Sequence, residues 1–99
     1  MKPLLVSEPA AVEFAEAVRW YEERRPGWGA RLFDAVAHVF DLIERHPEIG
    51  SSRGGHPAAR QLAVRGFPYV VAYRVRPSDL YVVAVAHAKR RPGYWKSRS

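Results

Sequence analysis

The chain has 99 residues, enough to enclose one core of its own, and its apolar (47%) and charged (26%) fractions are those of a globular protein rather than a disordered one. It contains no cysteine, which excludes a disulfide framework, a thiolate metal site and a thiol nucleophile. Sixteen Lys and Arg against ten Asp and Glu give a net charge of +6, unevenly placed: residues 1–50 carry −3, whereas residues 51–99 carry ten basic side chains and the single acid Asp79. A positive half on so small a chain attracts polyanions, so nucleic acid or an acidic protein surface is the expected partner class. The longest apolar run, Leu80–Ala86, is too short to span a bilayer and the N-terminus lacks the apolar stretch of a secretory signal, so a soluble, cytoplasmic protein is expected.

Leu4-Leu5-Val6 reads as a short first strand. Ser7 is placed to cap a helix, with Glu8 in its first turn and Pro9 where a missing N–H does no harm. Ala11, Phe14, Val18 and Tyr21 then recur at helical spacing, and Glu13, Glu16, Arg19 and Glu23 fall off that stripe. Pro26-Gly27 ends the helix. A second opens near Trp28-Gly29, carries Leu32, Val36, Val39 and Ile43 with Phe33 and Phe40 widening the stripe, and stops at His46-Pro47. The short separation predicts an antiparallel helical hairpin. The segment from Gly50 to Pro57 is an exposed loop by composition, and three strands follow at Arg60–Arg65, Tyr69–Arg76 and Leu80–Ala86, joined by turns short enough to make them antiparallel neighbours. The fold class is α+β: a small antiparallel sheet, an N-terminal strand plus a three-stranded meander, packed on a helical hairpin as one domain over residues 1–99. The last strand is apolar on both parities, so its second face needs a cover, either a partner chain or the C-terminal segment with Tyr94 and Trp95.

Isolated polar residues give few chemical signals. His38 lies off the helical stripe, His46 ends a helix, and His56 has no second ligand at metal-like spacing, so no metal is expected. Gly54-Gly55 lacks the helix and the Lys-Ser/Thr of a phosphate cradle, and Glu48 alone is weak evidence for a general base. Trp20 and Tyr21 are neighbours on a helix and cannot share a face, so one belongs to the core and the other is open to a partner; Trp28 packs the hairpin turn. Arg74, between apolar neighbours, is expected to pair with an acid.

The order of elements, with Arg65-Gly-Phe-Pro-Tyr-Val-Val-Ala-Tyr-Arg-Val75, Asp79-Leu-Tyr-Val-Val-Ala-Val-Ala-His-Ala-Lys-Arg-Arg-Pro-Gly-Tyr-Trp95 and the helix Glu8–Glu22, resembles the RelE/ParE superfamily of toxins from type II toxin–antitoxin modules. The resemblance spans nearly the whole chain. It implies a growth-inhibiting toxin of the plasmid-stabilising kind, held in check by a small antitoxin that wraps it in a heterocomplex. No membrane and no small-molecule cofactor are expected.

Two mechanisms follow from the resemblance. In the ribonuclease branch, messenger RNA is cut on the ribosome without a metal. Here His87 would transfer protons, Arg65 and Arg74, with Lys89 and Arg90, would stabilise phosphate charge, and Tyr94 or Trp95 would stack on a base. In the ParE-like branch, whose assigned target is DNA gyrase, the toxin binds rather than cleaves. The residues implied are then His87, Lys89, Arg90, Arg91, Tyr94 and Trp95. A histidine ending the last strand and followed by arginines, His87-Ala-Lys-Arg-Arg91, favours the second branch. A degenerate, non-toxic binding module is the third alternative. The antitoxin is expected to be acidic or amphipathic where it covers the sheet.

Overall fold

The computed structural model describes residues 1–52, 59–91 and 93–98. Strand β1 (Leu4–Val6) is followed by helices α1 (Glu8–Arg24) and α2 (Trp28–Arg45), then by strands β2 (Ala59–Ala63), β3 (Tyr69–Val75) and β4 (Leu80–His87). They form one four-stranded sheet in the order β1-β4-β3-β2. The meander β2–β3–β4 is antiparallel, as its tight turns require. β1 adds in parallel to the edge of β4, Leu4 opposite Leu80 and Val6 opposite Val82. No turn joins β1 to β4, so the long path through both helices sets the direction of that pair. The expected loop residues Gly54, Gly55 and His56 lie outside the described residues.

Ser7 links sheet to helix. Its N–H donates to Val82 O (3.0 Å), extending the β1–β4 ladder, and its hydroxyl accepts from the Ala10 N–H (3.2 Å) as the cap of α1. The buried stripe of α1 is Ala10 and Ala17 with half-buried Phe14, Val18 and Tyr21; Ala11, expected in it, is exposed. Small side chains at positions 10 and 17 suit a helix lying close over β4, and the packing rather than the apolar count chose between the adjacent alanines. The stripe of α2 is the expected one, with Leu32, Val36, Val39 and Ile43 all buried. Phe33 does not widen it: the ring is 52% exposed and stacks on Phe14 at 5.3 Å along the outside of the hairpin.

The hairpin turn is held from α1. Gly27 sits at φ +91 and offers no side chain to cap α2. The Glu22 carboxylate takes that role, accepting from the N–H groups of Gly27 (3.0 Å) and Gly29 (3.1 Å), which are left without partners inside the helix.

On the sheet, pairing passes from Ala72–Ala84 to Tyr73–Val82, leaving Val83 as an extra residue on β4. This bulge flips the side-chain alternation midway. Leu80, Val82 and Val85 therefore join the helix-side core with Val71 and Tyr73, whereas Val83, Ala84 and Ala86 face the opposite side with Ala59 and Ala72. An apolar strand on both parities is the result, and its second face is covered by the chain's own C-terminal segment: Trp95, 3% exposed, packs into that cluster with Tyr94 and Tyr81 at its border. Of the two covers expected from the sequence, the intramolecular one is present. On the helix side, buried Tyr73 donates its hydroxyl to Pro47 O (2.8 Å) and accepts from the Gly50 N–H (2.9 Å), fixing the chain as it leaves α2.

The cap by Glu22 leaves no room at Gly29, where an added Cβ would lie 2.9 Å from the Glu22 Cβ and from Val18 O. Gly29→Ala is expected to destabilise the chain by about 1–3 kcal/mol despite the better helix propensity of alanine, measured by urea unfolding.

Candidate functional site

Past Val82, β4 has β3 on one side and, among the described residues, no strand on the other, because β1 is only three residues long. Main-chain groups on that open edge are met by side chains. The Val85 N–H donates to Glu13 of α1 (3.1 Å), and Val83 O accepts from the Arg98 guanidinium (3.0 Å). Glu13 and Arg98 also pair with each other through both carboxylate oxygens, at 3.0 and 3.2 Å. The Tyr94 hydroxyl donates to the same carboxylate at 2.6 Å. Burial, then the hydrogen bond to Glu13 and the charge of that carboxylate, push the Tyr94 phenol up to about 12, and the bond to Glu13 raises the Arg98 guanidinium. Arg74, on the second face, donates to the carbonyls of Lys96 (2.8 Å) and Arg98 (3.0 Å). It holds main chain of the C-terminal segment.

These contacts divide the basic half into two populations. Arg60 donates to the carbonyls of Glu48 and Gly50, Arg76 pairs with Asp79, and Arg74 and Arg98 anchor the tail. Arg65, Lys89, Arg90 and Arg91 are exposed and cluster at one end of the sheet. The turn after β4 brings them there: the Ala88 N–H donates to Pro68 O (2.7 Å), tying this turn to the β2–β3 turn that carries Arg65, and the Arg90 N–H returns to His87 O (3.0 Å). Arg90 lies with its guanidinium 4.1 Å over the Tyr94 ring, on the phenol that Glu13 holds.

His87, half-buried at the end of β4, packs edge-on against Tyr69 (5.2 Å between centroids), and its Nδ1 accepts from the Lys89 N–H at 3.1 Å. That bond places the ring proton on Nε2, so the imidazole is set as a donor. His87 borders an open cleft of about 470 Å³ between α1 and the turn, lined also by Glu16, Trp20, Tyr21, Tyr69 and Arg90. Tyr21 is half-buried against the core, and its neighbour Trp20 is the exposed one of the pair at 47%.

Not every residue drawn from the sequence reaches this end. Arg74 sits five residues along β3 from the partner of His87, about 17 Å away by strand geometry, on the other face of the sheet and bonded to the tail. Trp95 is core and offers no ring for stacking. The set His87, Arg65 and Arg74 is therefore not assembled; His87, Lys89, Arg90, Arg91 and Tyr94 are. Sequence reading missed Glu13, which falls off the apolar stripe of α1 and was given no role. Its partners lie 72 to 85 residues away, so no local pattern marks it. Among the described residues no group of three His, Cys, Asp or Glu clusters as a metal site would, and no helix is long and apolar enough to cross a membrane.

A small sheet backed by a helical hairpin, with a cationic turn at the end of its last strand, is the architecture implied by the toxin resemblance. Residues 4–92 match the family model described as the ParE toxin of the type II toxin–antitoxin system parDE, and the chain belongs to that family. Its fold is similar to a solved structure, the chromosomal ParDE TA system from P. aeruginosa, at a TM-score of 0.78 and 15% identity over 90% of this chain and 98% of that one. At that identity the likeness is one of fold. No curated protein matches the sequence.

Because the folded chain holds the Tyr94 proton more tightly than the unfolded chain does, this group contributes stability that is complete below about pH 10 and lost as pH rises through about 12. Tyr69 and Tyr73, also raised by burial, act in the same direction. Tyr94→Phe is expected to flatten part of the fall in melting temperature across that alkaline window, read from thermal melts at a series of pH values.

Proposed function

We propose that this ParE-family chain, a single toxin domain over residues 1–99, inhibits growth by binding DNA gyrase in the cytoplasm, and that a cognate antitoxin neutralises it. One observation supports this reading above the others. Arg60, Arg74, Arg76 and Arg98 are committed to holding the fold, whereas Lys89, Arg90 and Arg91 are displayed on a turn fixed by main-chain bonds. Cations held on a rigid frame suit recognition of an acidic surface, because little conformational freedom is lost on docking. His87 and Tyr94 flank them, one as a hydrogen-bond donor and one as the aromatic surface under Arg90. Binding is favoured over RNA cleavage because Arg74 stands apart from His87, leaving the acid–base group without that second phosphate-stabilising arginine.

The antitoxin reading is supported by membership of the family, by the likeness in fold to a ParDE system, and by the surface itself. A cationic rim beside an open aromatic cleft fits a segment that is acidic on one side and apolar on the other.

Inducible expression tests the proposal. Replacing Lys89, Arg90 and Arg91 together by alanine is expected to abolish growth inhibition while leaving the circular dichroism and melting curve unchanged, since none of the three side chains anchors the core. Growth arrest by the wild type should come with DNA damage and intact messenger RNA. A folded triple variant that remains fully toxic, or cleaved transcripts, would overturn the reading.

A further inference from the structure

Charge counted along the sequence makes the first half acidic, but the fold redistributes it. The tip of the helical hairpin lies against the β2–β3 turn: Phe67 of that turn packs edge-on against Tyr21 at 5.2 Å and against Trp28 at 6.0 Å. The β2–β3 turn is itself bonded to the turn after β4 through Ala88 and Pro68. Three segments distant in sequence therefore make one end of the molecule. The hairpin tip brings Arg24, Arg25 and Arg31 to it, alongside Arg65 and the trio Lys89–Arg91. Across residues 20–31, 64–69 and 87–91 there are only two acids, Glu22 and Glu23, and the Glu22 carboxylate is engaged by the N–H groups of Gly27 and Gly29.

The arginines of the tip are stacked on aromatic rings. Arg24 lies 3.9 Å over Trp20, and Arg25 and Arg31 lie 4.9 and 5.0 Å from the Trp28 centroid. A guanidinium resting on an indole presents its remaining N–H donors at the rim, positioned for a phosphate, at small entropic cost; Arg24 uses Nη1 on Trp20 O at 3.3 Å and has the rest of its fork to offer. Trp20, the exposed aromatic of this end, borders the open cleft that runs to His87 and Arg90. Glu13 and Glu16 are the acids on the cleft wall, and the Glu13 carboxylate is engaged by Tyr94, Arg98 and the Val85 N–H. Cations spaced around an aromatic cleft are what a single strand requires, with its phosphates on the arginines and an unstacked base on a ring. A duplex would leave the cleft unused, because its bases are already stacked. An acidic protein segment would match the charge as well, but it brings no planar base to lie between Trp20 and His87, and poly-glutamate tests that alternative below.

We infer that this end of the molecule, hairpin tip included, is a binding surface for single-stranded nucleic acid, its phosphates held by Arg24, Arg25, Arg31 and Arg65 and one base taken between Trp20 and His87. The inference goes beyond the toxin reading and does not depend on the identity of the toxin's target. It is tested on the purified full chain by fluorescence anisotropy with a labelled single-stranded oligothymidine, a duplex of the same length and poly-glutamate, over a salt series. The single strand should bind most tightly, and its affinity should fall with salt at a log–log slope of about −2 to −3, the value for three or four phosphates on a single strand. Arg31→Glu should weaken binding about tenfold or more, whereas Arg45→Glu, the same change of charge at the far end of the same helix, should alter it less than about twofold. Trp20→Ala should weaken single-strand binding without changing the slope. Melting curves confirm that each variant is folded. Equal losses from the two arginine variants, tighter binding of duplex or poly-glutamate, or no binding of the single strand at low salt would each overturn it. Loss of toxicity in the Lys89–Arg91 variant is scored separately in cells, so either idea can fail without the other.

Discussion

The unpaired edge of β4 is the constraint around which this molecule is arranged. A three-residue β1 covers Leu80–Val82 and then the chain must leave to form α1, so the main-chain edge at Val83 and Val85 has no strand beside it among the described residues. Exposed strand edges are a liability that proteins cover with bulges, charges or other chain segments. All three devices are present here. The bulge at Val83 breaks the ladder's regularity, and Glu13 and Arg98 supply an acceptor and a donor where a neighbouring strand would have stood. Because the two side chains also bind each other, closing the edge fixes the tail, and the fixed tail places Trp95 over the second face of the sheet.

That arrangement explains why a strongly basic chain presents its charge so selectively. Guanidinium groups are used in this small protein much as main-chain donors are used elsewhere, each tying its element to carbonyls or a carboxylate of another segment or turn. Seven exposed cations, Arg24, Arg25, Arg31, Arg65, Lys89, Arg90 and Arg91, gather where the β2–β3 turn, the turn after β4 and the hairpin tip meet. The tail contributes to that end indirectly: Tyr94, held by Glu13, provides the ring on which Arg90 rests. Fold and surface are thus coupled through one carboxylate on the first helix.

Periodicity made much of this legible. The stripe Leu32, Val36, Val39 and Ile43 is strong enough that no other face of α2 could be buried, and the β-branched runs bounded by Gly-Phe-Pro and Pro-Ser-Asp mark the meander. Adjacent alanines carry no such signal, so the stripe expected for α1 begins one residue out of phase. The double-sided apolarity of β4 is visible in the sequence, but its mechanism, a bulge that exchanges the faces, is not, since an extra residue leaves no mark in a run that is apolar throughout. Long-range polar pairs are out of reach for a related reason: Glu13 and Arg98 look like ordinary surface residues until the sheet brings them together. The resemblance to the toxin family rests on element order and the His87–Arg91 ending, both of which survive folding, whereas the positive end of the hairpin depends on Phe67 meeting Tyr21 and Trp28.

Amide hydrogen exchange at Val85 tests the central claim most directly. Its N–H is protected only as long as Glu13 stays in place, and Tyr94 and Arg98 of the tail, neither of which touches that N–H, are what hold Glu13. In a double variant, Tyr94→Phe with Arg98→Ala, the Val85 amide should exchange about tenfold faster or more than in the wild type, with the amides of Val71 and Leu80 unchanged. An unaltered Val85 rate in a folded variant would contradict the account, because the edge would then be closed without the tail.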